Sequence, residues 1–133
     1  MKNLFAIVLL LTLFFSCTTK PAKVIKPQIV PEPQSMTVEM NKHYALNGQP
    51  ALHSNAESAE KSMTFLNDYL NASGWKSHIA EKGSAEIKFE VKKGLAEEAY
   101  ELSINSTGIH LRASHEKGFF YAVQSLIQML PPQ

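Results

Sequence analysis

Residues 100–133 read YELSINSTGIHLRASHEKGFFYAVQSLIQMLPPQ, and this stretch decides the fold. Tyr100, Leu102 and Ile104 alternate with polar residues, and so do Ile109, Leu111 and Ala113. A period of two marks strands with one face buried. Asn105-Ser106-Thr107-Gly108 between them is turn chemistry, so the two runs form a hairpin. From Ser114, a helix cap by residue type, the apolar spacing changes: Phe119, Ala122, Val123, Leu126 and Leu130 fall on one helical face, broadened by Ile127 and Met129. Pro131-Pro132 ends that helix, because proline has no amide hydrogen to continue it. A helix this apolar has to be covered by other parts of a fold.

The pattern continues upstream. Ile87, Phe89 and Val91 point one way and Glu86, Lys88 and Glu90 the other, giving a strand over 85–91. A short strand is expected within Trp75–Ala80, after Gly74, which suits the left-handed residue that closes a helix. Ser54-x-x-Glu57 has the form of a capping box. Behind it, Ala59, Met63, Leu66 and Leu70 recur at helical spacing, with Ala56 and Tyr69 beside them, so 55–73 is expected to be helix. Further strands are expected at Met36–Met40, where Met36, Val38 and Met40 alternate, at His43–Leu46 and at Ala51–His53, with Asn47-Gly48 as a turn. The sum is an α+β layer with one core: a mostly antiparallel sheet of three to five strands packed by two helices.

The beginning of the chain is different. Lys2 precedes the apolar run Leu4–Phe15, then Ser16-Cys17-Thr18-Thr19. A positive start, a short apolar stretch and a small residue before a cysteine make a bacterial lipoprotein signal, 1–16, with lipid carried on Cys17. The run is shorter than the ~20 apolar residues of a membrane-spanning helix. Acylation would hold the protein to a membrane without crossing it. Thr18, rather than aspartate, follows the cysteine, which by resemblance to bacterial sorting rules favours the outer membrane. Residues 17–33 hold Pro21, Pro27, Pro31 and Pro33 and read as an extended linker, leaving 34–133 for the folded domain.

Cys17 is the only cysteine, so no disulfide forms within the chain and no cysteine-based zinc site exists. Charge is nearly balanced: 13 Lys+Arg against 12 Asp+Glu, or 13 − 1 = 12 against 12 once Lys2 leaves with the signal. No basic stripe interleaved with aromatics appears, which argues against nucleic acid. The histidines His43, His53, His78, His110 and His115 lack the His-Glu-x-x-His spacing of a helical zinc site and read as surface residues. Gly108 and Gly118 fit no phosphate loop: Gly108 supplies the hairpin turn, and Gly118 lets the helix start pack close to a neighbour. Phe119 belongs inside, while Phe120 and Tyr121 fall to the sides of the last helix, where they could touch a second domain or a sugar.

The block Tyr100, Leu102, Ile104, Gly108, Ile109, Leu111, Ala113, Gly118-Phe119-Phe120-Tyr121, Gln124, Leu126, Gln128 and Leu130-Pro131 resembles the end of the N-terminal domain of family 20 glycoside hydrolases, the β-N-acetylhexosaminidases. Ile29-Val30-Pro31-Glu32-Pro33 matches the opening of that domain, so the resemblance runs from about Ile29 to Pro132. It implies a zincin-like α+β fold without a metal, no cofactor, and no catalytic residue in the domain itself. It also implies that a catalytic barrel, absent from these 133 residues, is the partner, with Phe120, Tyr121, Gln124, Ile127 and Gln128 as the barrel-facing surface. The full enzyme would remove terminal non-reducing N-acetylhexosamine from glycans. In that family an Asp-Glu pair in the barrel does the work, with the substrate's own acetamido group as nucleophile. Here Asp68 is the only aspartate and precedes Tyr69, and Glu97-Glu98 is a like-charged pair in a loop. Two other parents stay open: the N-terminal domain of another glycosidase, such as an O-GlcNAcase-like enzyme or an α-glucuronidase, and a free-standing surface lipoprotein that binds glycan or protein.

Overall fold

The computed structural model describes residues 26–39, 43–81 and 84–131. From Ala51 onward the alternation in the sequence becomes strands. β1 spans Ala51–Ser54, β2 His78–Ile79, β3 Ile87–Val91, β4 Tyr100–Asn105 and β5 Gly108–Ala113; helix α1 spans Glu60–Ala72 and α2 Glu116–Ile127. The strands form one five-stranded sheet in the order β2-β1-β3-β5-β4. Leu52, Ile87, Phe89, Ile109, Leu111 and Ala113 project from one face into a single core with Met63, Leu66 and Leu70 of α1 and Phe119, Ala122, Val123 and Leu126 of α2. The opposite face carries the alternate residues, among them Lys88, Glu90, His110 and Arg112, which stay half-buried. The fold is therefore two-layered, with both helices on one side of the sheet.

The sheet is not mostly antiparallel. β1 pairs in parallel with β2 and with β3, and β3 in parallel with β5; only β4 and β5 run antiparallel. The reason lies in the connections. α1 carries the chain back across the sheet between β1 and β2, which is what parallel neighbours need. β3 and β4 are successive in sequence but not in space, because β5 inserts between them. Periodicity reports which face a residue occupies and carries no information about strand direction.

Other boundaries moved for local reasons. The described residues 34–39 and 43–47 form no strand; Tyr44 and Leu46 pack against the core from an irregular segment instead, and Met40 lies outside the described residues. The capping box does not form. Ser54 ends β1, its hydroxyl accepts the Ala56 amide at 3.0 Å, and a 3-10 turn over Glu57–Ala59 precedes α1. Ser114 does not cap α2: its hydroxyl donates to the Lys92 carbonyl at 2.6 Å and accepts the Leu95 amide at 3.0 Å, tying down the loop between β3 and β4.

Two glycines hold the layers close. A Cβ on Gly108, whose φ is +131°, would lie 2.6 Å from the Glu86 carbonyl oxygen. A Cβ on Gly118 would lie 2.5 Å from the Ala99 carbonyl oxygen and 2.8 Å from the Ala113 Cβ, so the first turn of α2 touches both the entry to β4 and the end of β5.

Candidate functional site: an aromatic groove on the helix layer

The two helices bury one stripe each and leave another in the open. Phe65 on α1 and Phe120 and Tyr121 on α2 stay 43%, 44% and 39% exposed. Their rings meet across the helix pair: Phe65 and Phe120 have centroids 6.3 Å apart, Phe120 and Tyr121 5.8 Å apart in an edge-on arrangement. They floor a groove of about 490 Å³ whose rim is charged. Lys61 of α1 donates to both carboxylate oxygens of Glu116 of α2, at 3.0 and 3.2 Å, and Lys117 pairs with Glu97 at 3.1 Å. That partner holds the Lys117 ammonium above its ordinary pKa, chiefly through the hydrogen bond. Three large aromatics thus meet between neighbouring elements inside a ring of charge.

Of the expected interface residues, Phe120 and Tyr121 lie in this groove and Gln124 and Ile127 are half-buried further along α2. Gln128 turns elsewhere. Its side-chain oxygen accepts the Val30 amide at 2.8 Å and its side-chain nitrogen donates to the Val30 carbonyl at 3.1 Å. Phe65 was not singled out by the sequence reading. Its spacing of four from Tyr69, another exposed aromatic of α1, is the signal that marks a second stripe beside the core face.

The remaining candidates disperse. Cys17 lies outside the described residues. Glu97 is taken by Lys117, and Glu98 lies on the groove rim. His53 places Nδ1 2.8 Å from the Ala80 carbonyl, and His110 sits on the far face of the sheet with Nε2 3.3 Å from the Thr107 hydroxyl. His43, His78 and His115 are exposed. Among the described residues no three His, Cys, Asp or Glu side chains gather as a metal site, and no helix is long and apolar enough to cross a membrane.

The fold is thus a two-layer α+β domain that carries an open aromatic groove on its helices. Comparison with known proteins gives the family. "Glycosyl hydrolase family 20, domain 2" matches residues 26–133, and the chain belongs to this family. Its fold is similar to that of the GH20 exo-β-N-acetylglucosaminidase of Vibrio harveyi, with TM-score 0.71 and 23% identity over 84% of this chain and 17% of that one. The GH20 β-N-acetylhexosaminidase of Streptomyces coelicolor A3(2) gives TM-score 0.69 and 24% identity over 79% and 22%. The β-N-acetylhexosaminidase of Bacteroides fragilis gives 0.65 and 21% over 77% and 21%. The chain thus spans about a fifth of the length of these proteins. No curated protein matches it.

Proposed function

We propose that this chain is the non-catalytic N-terminal domain of a β-N-acetylhexosaminidase, and that its role is to support the catalytic barrel. The observation that carries this reading is the aromatic groove of Phe65, Phe120 and Tyr121, left open on a fold that makes up about a fifth of the similar hexosaminidases. In the intact enzyme the barrel covers the groove, with Phe120, Tyr121, Gln124 and Ile127 facing it. The barrel supplies the acid and the carboxylate that orients the substrate's acetamido group, and terminal non-reducing N-acetylhexosamine is the sugar released. The lipoprotein-type signal read in 1–16, ahead of Cys17, supports lipid attachment at that cysteine and a position at the bacterial outer membrane.

The test is a turnover assay. This chain, purified alone, is expected to release no chromophore from a chromogenic N-acetylglucosaminide above a boiled control. Turnover by the chain alone refutes the division of labour. Labelling with radioactive palmitate checks the anchor: incorporation is expected in the natural sequence and absent in Cys17→Ala, and equal incorporation rejects it.

A further inference from the structure

Residues 17–33 were expected to be an extended linker, yet one short part of them is fixed. Ile29 is buried against the domain. The next residue, Val30, is gripped at both backbone groups by Gln128 at the end of α2, whose side-chain nitrogen also donates to the Gln124 carbonyl at 3.2 Å. A side-chain amide that accepts an N–H and donates to the C=O of the same residue imitates one rung of a β-ladder, and it fixes the direction in which that residue's side chain leaves. Here the side chain leaves outward: Val30 is 77% exposed, although apolar and held in place.

The position of this rung matters more than its existence. Gln128 is five residues from Gln133, and an extended chain covers at most about 3.3–3.6 Å per residue. Whatever follows Gln133 is six residues on from Gln128 and therefore begins within roughly 22 Å of the clasp. The path into the domain and the path out of it meet at one end. A fixed, outward apolar residue at that end lies where a following module must start.

We propose that Val30–Pro33, seated by Gln128, is part of the contact surface for the module that follows Gln133, with Val30 as its apolar contact. This rests on the reading that such a module exists and packs on the helix layer. Gln128 acts here as a positioning residue: it touches Val30 and sets its direction, and Val30 touches the neighbour. The arm is thereby one of two separate contacts, the other being the aromatic groove.

The test compares this chain with the longer protein that carries the following module. Val30→Asp is expected to leave the melting midpoint of this chain unchanged and to lower that of the longer protein by about 2–4 °C. Phe120→Asp in the longer protein reads the groove independently. If Phe120→Asp lowers the midpoint and Val30→Asp does not, the arm contact is overturned and the groove reading stands. If neither does, both are overturned. An equal loss from Val30→Asp in both proteins also overturns the proposal, because Val30 would then serve the domain itself. Deuterium exchange at the Val30 amide reads the clasp directly: slow in the natural sequence and fast in Gln128→Ala is expected, and equal rates remove Gln128 from the account.

Discussion

Replacing Gly118 by alanine adds one methyl group at the tightest point of the fold. That methyl would sit 2.5 Å from the Ala99 carbonyl oxygen and 2.8 Å from the Ala113 Cβ. Neither neighbour is the end of a flexible side chain, so α2 has to lift from β4 and β5 together. Forcing extra volume into a packed site costs about 1–3 kcal/mol. Alanine regains up to ~1 kcal/mol of helix propensity over glycine, less in a first turn. The net expectation is a loss of about 1–2 kcal/mol. For a domain of this size that corresponds to a fall in melting midpoint of about 4–8 °C per kcal/mol. Denaturant titration followed by far-UV circular dichroism, with Trp75 fluorescence as a second probe, measures it. Gly48→Ala is the control: its Cβ would meet nothing within 4 Å, and the φ there is not in the left-handed region. That substitution should be neutral or stabilise by about 0.4–1 kcal/mol. If Gly118→Ala proves as mild as Gly48→Ala, the close approach of α2 to the β4–β5 hairpin is refuted.

Other expectations follow from single features. Phe119→Ala, at a fully buried ring 6.0 Å from that of Phe89, should cost about 3–5 kcal/mol, and a loss below about 1 kcal/mol would show that this ring is not central. The Tyr44 phenol donates to Glu86 at 3.2 Å, and burial first, then the Glu86 charge and the hydrogen bond, raise its pKa from 10.0. The folded state thus holds this proton more tightly than the unfolded state; the contribution is complete below pH 10 and falls as pH rises through the folded value. The gap in unfolding midpoint between the natural protein and Tyr44→Phe should shrink from pH 8 to about pH 11, and a constant gap contradicts the assignment. Lys61→Met breaks only an exposed ion pair with Glu116 and should change stability by less than about 1 kcal/mol, so a larger loss in urea titration would mean that the pair sets the helix spacing.

The parts of the fold that depend on local pattern were legible in the sequence. The period of two placed β3, β4 and β5, helical spacing placed α1 and α2, and the need for a small residue at Gly118 was visible from its place at a helix start. The parts that depend on distant partners were not. Strand direction followed from the crossover by α1 and the insertion of β5, neither of which alters the alternation of Ile87–Val91 or Tyr100–Asn105. Met36 and Val38 alternate as a strand would, yet the described residues around them pair with no neighbour in the sheet. In the groove, Phe120 and Tyr121 were readable as lateral residues of α2, because 100° per residue takes them off the Phe119 stripe. Phe65 lies directly before core Leu66 and joins the groove only because α2 packs alongside α1. The clasp of Gln128 on Val30 spans 98 residues, and no local pattern announces it.

The central claim is that another part of the same enzyme covers the aromatic groove. Hydroxyl-radical footprinting of Phe65, Phe120 and Tyr121 tests it most directly, read by mass spectrometry in this chain and in the protein extended past Gln133. The account expects ready oxidation of all three rings in this chain and strong protection in the longer protein. Equal oxidation in both would contradict it.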